Sequence, residues 1–178
     1  YSFYDKYSTQ IYKLLEDNLR DKNGRVRAFT SLIIYHLYEN NRNLKFKIID
    51  KMILSLDLDD HENYLSPDYI ITKTISKIYE KFSKEVIKAI KRTKDQLKTG
   101  GKIELLRIYE DVLEKQENSK ENTFLDELIS ISLSPKEQDI RKKAIDVLES
   151  LSRTNGILLL DKSDSVIGLL AHSIRNQI

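Results

Sequence analysis

Cysteine and tryptophan are missing from this chain, and proline occurs only twice and glycine five times in 178 residues. Without cysteine there is no disulfide framework and no thiolate metal site. That fits a reducing compartment, and a cytoplasmic location is expected. Scarce Gly and Pro leave few helix breakers, and both prolines follow a serine, at Ser66-Pro67 and Ser134-Pro135. Serine as N-cap with proline in the first helical position marks a helix start, because proline there forfeits no hydrogen bond. No apolar run approaches the ~20 residues that span a bilayer. No secretory leader is visible, so no membrane partner is expected. The chain opens at Tyr1 and not at methionine, and is expected to be a single domain over 1–178 that can be a fragment of a longer protein.

Signatures of catalysis are missing too. His36, His61 and His172 are far apart and show no HExxH spacing. With no cysteine and no GxSxG, nucleophilic catalysis has no motif. Thr99-Gly100-Gly101-Lys102 lacks the upstream glycine and following Ser or Thr of a phosphate loop. Its glycine pair is expected to end a helix in a left-handed cap. The link Asp57-Leu58-Asp59-Asp60-His61-Glu62 is the one place resembling a cation site. It lacks the glycine and the closing Glu of a calcium loop, and is expected to be a solvated acidic loop. No catalytic residue, metal or cofactor is therefore expected, and the chain is read as non-enzymatic.

What is present is helix. Apolar residues, 40% of the chain, recur at three- and four-residue spacing almost throughout, which argues amphipathic helices. The pattern predicts about nine, at 8–20, 25–40, 44–56, 67–82, 84–98, 102–117, 123–133, 136–153 and 164–176. Short polar or Gly-containing turns separate most of them, which places successive helices antiparallel. Ile157-Leu158-Leu159-Leu160 is expected to be a buried connector.

Two of these hairpins repeat one another. Leu14-Leu15, a turn at Asp21-Lys22-Asn23-Gly24, and Val26-Arg27 opening a second apolar run correspond to Phe124–Leu133, a turn around Ser134-Pro135, and Ile140-Arg141 opening another. Arg27 and Arg141 lie 114 positions apart, room for three repeats of ~38 residues. On these residues the chain resembles the HEAT-like helical repeats, antiparallel helix pairs stacked one on the next. The resemblance implies an all-α, right-handed superhelix (an α-solenoid) and an interaction surface in place of a cleft. It also implies that Asp21, Arg27 and Arg141 are structural residues linking neighbouring repeats. Pro135 stands where the second turn would carry its Asp. A closed helical bundle and a fragment of a mixed fold are the other architectures open to this sequence.

Charge is unevenly spread. Residues 70–102 carry ten basic and three acidic groups, whereas 57–69 carry five acidic groups and no Lys or Arg. Lys84, Lys88, Lys91, Arg92, Lys94 and Lys98 flank the apolar face Val86, Ile87, Ile90 and Leu97. Such a stripe can neutralise successive phosphates, or simply solvate the outer face of a helix. Some HEAT-like proteins are glycosylases of alkylated bases that rely on tryptophans, and this chain has none. Five of its ten tyrosines (Tyr1, Tyr4, Tyr7, Tyr12 and Tyr35) fall before position 36. With Phe3, the first three form either a docking edge or packing for the first helix. The leading expectation is a scaffold or protein-interaction domain, the adaptor or sensor part of a larger assembly. The alternative is a nucleic-acid-binding solenoid that contacts the phosphate backbone through Lys84, Lys88, Lys91, Arg92 and Lys98. A basic face would mark the second, and an exposed apolar patch the first.

Overall fold

The computed structural model describes residues 3–40, 47–57, 67–116, 123–134 and 136–160, with single positions at 162, 164, 167, 168 and 171. Among these there is no strand, and the all-α class is confirmed. Eight α-helices occur: α1 (Phe3–Asn18), α2 (Gly24–Asn40), α3 (Lys47–Leu54), α4 (Pro67–Thr93), α5 (Thr99–Glu114), α6 (Thr123–Leu133), α7 (Gln138–Thr154) and α8 (Ile157–Leu160). Short 3-10 turns follow α3 at Ser55–Asp57 and α4 at Lys94–Gln96.

The helices expected at 67–82 and 84–98 meet at a kink within α4, and 157–160, expected as a connector, forms α8. The anticipated boundary survives as one non-helical residue, Phe82, at φ −133° and ψ 47°. The last expected helix, 164–176, lies mostly outside the described residues. No described helix is long and apolar enough to cross a membrane.

The chain divides into two compact units, Tyr1–Glu104 and Leu105–Ile178. In the first, α1 packs on α2, while α2 and α3 both pack on α4. Its core holds Leu19, Ile34, Tyr38, Ile48, Met52, Ile75, Val86 and Ile90, each all but inaccessible. Several side-chain links between its helices share one spacing, while Glu16 and Lys51 are closer in sequence. Arg27 meets Asp68 and Tyr35 meets Lys77. Glu39 meets Lys81, 42 residues on, as Asp50 meets Arg92, and Asp57 meets Lys98 after 41. Because the contacting numbers rise together, α2 runs parallel to the part of α4 before Phe82.

Asp57 has a local task. Both its carboxylate oxygens accept the Lys98 backbone N–H at 2.9 Å, which places a negative charge at the start of α5. A Cβ on Gly101 would run into that carboxylate and into Leu97 Cδ2 at 3.1 Å. The Gly100-Gly101 pair thus opens a helix and does not end one: no described glycine has positive φ, and Gly101 is needed for close approach. The rest of the acidic link, 58–66, lies outside the described residues.

In the second unit α6 packs on α7. Tyr109 and Phe124 stack with centroids 4.4 Å apart. The Asn155 amide donates to the carbonyls of Leu113 and Gln116, at 3.0 and 2.8 Å, closing the end of α5. Leu158 and Leu159 are buried while Ile157 and Leu160 are exposed, so the expected connector is a single helical turn buried on one side.

Candidate interaction surface

The surface is built outward from a locked turn. Asp21 Oδ1 accepts the Asn23 N–H at 2.7 Å, and Asn23 Oδ1 accepts the Arg25 N–H at 3.0 Å, an N-cap for α2. Beneath, Arg27 is wholly buried. Its Nη1 donates to the carbonyls of Asp21 and Lys22, at 2.9 and 3.2 Å. Its Nη2 lies 3.7 Å from Asp68 Oδ1, with neither side chain exposed. Asp68 sits in the first turn of α4, just after Pro67, where a carboxylate faces the positive end of the helix. The side chain of Asp21 therefore serves its own turn, and Arg27 makes its connection to Asp68. Arg141 is half-buried, and its guanidinium makes no ion pair among the described residues.

So anchored, α2 buries one side and shows the other. Its exposed positions are Arg25, Phe29, Leu32, Ile33, His36, Glu39 and Asn40, spaced as one stripe of a helix. The middle of that stripe is apolar: Phe29 is 67% exposed, Leu32 42% and Ile33 51%. A helix apolar on both sides normally lies inside a core or under a partner. His36 is on this stripe, its backbone carbonyl accepting the Asn40 amide at 2.8 Å.

The neighbouring helix carries the opposite character. Every exposed residue of α4 except Glu80 is Lys or Arg: Lys77, Lys81, Lys84, Lys88, Lys91 and Arg92. Two are already engaged. Arg92 forks onto Asp50, Nε to Oδ2 at 3.0 Å and Nη2 to Oδ1 at 2.7 Å, and this hydrogen bond raises the guanidinium further above its ordinary value. Lys81 donates to Glu39 Oε1 at 2.7 Å. That bond, and then the one from the Tyr35 hydroxyl at 2.8 Å, hold the Glu39 carboxyl below its usual range. Lys77 stands over the Tyr35 ring, 5.7 Å from its centroid. Lys84, Lys88 and Lys91 make no ion pair among the described residues. Lys98 is off this row, because the α-helix stops at Thr93 and Leu97 is extended, at φ −75° and ψ 141°.

Between α1, α3 and α4 lies an open groove of about 1280 Å³, with Tyr12, Leu54 and Thr93 among its walls. Three carboxylates line it: Glu16 lies 3.5 Å from Lys51 and Asp50 is forked by Arg92, while Glu85 makes no ion pair among the described residues. Among the described residues no three acidic or histidine groups gather as a metal site. The tyrosines at 1, 4 and 7, with Phe3, lie outside the described side chains. The exposure of α2 could not be read from its periodicity, since apolar residues surround that helix. No family model matches this chain, and neither a curated protein nor a solved structure does.

Proposed function

We propose that this chain is a non-enzymatic helical-repeat module of the HEAT-like kind, and that it binds a protein partner through the exposed face of α2 as the adaptor or sensor part of a larger cytoplasmic assembly. The observation that carries this is the stripe Phe29, Leu32 and Ile33, left in water on a helix whose opposite side is fixed by the buried Arg27 and Asp68. A contiguous apolar patch rimmed by polar groups is the ordinary mark of a protein-binding site. The recurrence of side-chain links every 41–42 residues supports stacked repeats of that length, superhelical in this reading. It is also why Arg27 is assigned an inter-repeat role.

A photo-crosslinking amino acid in place of Leu32 tests the function in cells of the source organism. One discrete crosslinked protein is expected, and it should disappear when Ile33→Glu is added. Equal labelling from a control site at Lys102 would sink the proposal. One observation favours nucleic acid as a second reading: Lys84, Lys88 and Lys91 are exposed along one row and engaged by no carboxylate among the described residues. Fluorescence-anisotropy binding to DNA and RNA at two salt concentrations separates the two readings, since phosphate contacts weaken steeply with salt.

A further inference from the structure

Along the seam between α2 and α4, apolar and cationic side chains run side by side. Here α2 is parallel to the part of α4 before Phe82, and two contacts tie the margin of the apolar stripe to the cationic row: Tyr35 under Lys77 at 5.7 Å and Glu39 against Lys81 at 2.7 Å. Leu32 lies seven residues before Glu39, on the same row of α2, so the row that carries the apolar stripe runs on to the lysine contacts. The stripe from Arg25 to Glu39 is about 21 Å long at the helical rise, room for roughly four turns of a bound helix. Its charge is one-sided. Arg25, Lys73, Lys77 and Lys81 are opposed in this stretch by Glu80 and by Glu39, and Glu39 already accepts from Lys81 and Tyr35.

We infer that this seam receives an amphipathic helix of a partner protein, with its apolar row on Phe29, Leu32 and Ile33 and an acidic flank against Lys73, Lys77 and Lys81. The inference rests on the protein-binding function proposed above and names the chemistry of that partner. Apolar anchors at i, i+3, i+4 and i+7 are how a helix seats on such a stripe. The neighbouring cations select acids and repel a basic helix. Nucleic acid fits less well, because phosphates would meet the lysines and leave the apolar stripe in water.

The test uses the whole 178-residue chain and three fluorescent probes. Two are synthetic peptides with the same leucine spacing, one flanked by glutamates and the other by lysines, and the third is single-stranded DNA. The glutamate peptide is expected to bind at least about tenfold tighter than the lysine peptide. Leu32→Ser alone, and Lys73→Glu with Lys77→Glu, should each weaken it about tenfold, with the helical circular dichroism unchanged. Equal binding of the two peptides by the wild-type chain overturns the inference whatever the variants do. So does indifference to Leu32→Ser. Tighter binding of DNA, lost with the lysines and kept without Leu32, overturns it in favour of nucleic acid. If the peptides fail while the residue 32 photo-crosslinker still captures one protein, the protein-binding function stands and only the acidic helix falls.

Discussion

In the hairpin of α1 and α2, Arg27 is wholly buried, held by two turn carbonyls and faced by Asp68. In the hairpin of α6 and α7, Arg141 occupies the corresponding place in the sequence, yet it is half-buried and without an ion pair among the described residues. The difference is one of phase. When the two arginines are aligned, the core of α7 (Ile140, Ala144, Val147, Leu148 and Leu151) falls about one residue earlier than that of α2 (Arg27, Ala28, Ser31, Ile34 and Tyr38). One residue is about 100° of helix, enough to turn the arginine out of the core. The outer faces differ as a result. Where α2 shows Phe29 and Leu32, α7 has Lys143, paired with Glu110 at 3.7 Å, and exposed Asp146. A helical hairpin of this chain can therefore have a polar back. The apolar back of α2 is not a demand of the fold, which is why function is assigned to it.

The sharpest way to break this comparison is to remove the arginines. Arg27→Met leaves Asp68 buried and charged without its partner, and should cost about 3–5 kcal/mol. Arg141→Met should stay within about 0.5 kcal/mol. Urea titration followed by circular dichroism reads both. Restoring an apolar pair with Asp68→Leu should recover most of the loss, because two well-packed apolar groups can replace a buried ion pair. Equal losses at the two arginines would mean that the burial difference carries no energy, and the phase argument would fail with it.

A smaller effect separates the outer faces. Val147 of α7 aligns with Ile33 of α2, but Val147 is inaccessible and Ile33 is half in water. Val147→Ala should cost about 2 kcal/mol through lost contacts and a cavity. Ile33→Ala should change stability by no more than about 0.5 kcal/mol, since little of its surface leaves water on folding. A large loss at Ile33 would show that its face is covered in the folded chain, and would remove it from the proposed docking surface.

Much of this organisation was legible in the sequence, and the failures have definite causes. The helix at 123–133 and the turn Asp21–Gly24 lie where periodicity and turn residues put them. The boundary expected near 83 is the irregular Phe82, whose ring packs 5.5 Å from that of Tyr38. The partner of Arg27 was not legible, because Asp68 is 41 residues away and local pattern does not reach that far. An acid at the start of a helix opened by proline was the signal available. The row of lysines was read too long, since nothing in the pattern showed that helix stopping at Thr93 and Lys98 leaving the row. The exposed face of α2 was invisible for a different reason. Periodicity identifies the wet side of a helix only when that side is polar, and here it is not.

The smallest expected effect appears only at alkaline pH and again divides the two units. Burial, with a lesser contribution from the charge of Glu127, pushes the Tyr109 phenol far above its ordinary value of 10.0. The hydrogen bond to Glu39 raises Tyr35 as well, but Tyr35 is partly in water, where solvent screens the interaction. A raised folded-state value means that above pH 10 the unfolded chain releases this proton first. The contribution of Tyr109 to stability is therefore complete below about pH 10 and falls as pH climbs toward its folded value. Tyr109→Phe should flatten the decline in unfolding free energy between about pH 10 and 11.5 relative to the wild type. Tyr35→Phe should leave that decline nearly parallel to the wild type's. If both substitutions flatten it equally, burial is not what distinguishes the two tyrosines, and the stack of Tyr109 on Phe124 does not close its site to water.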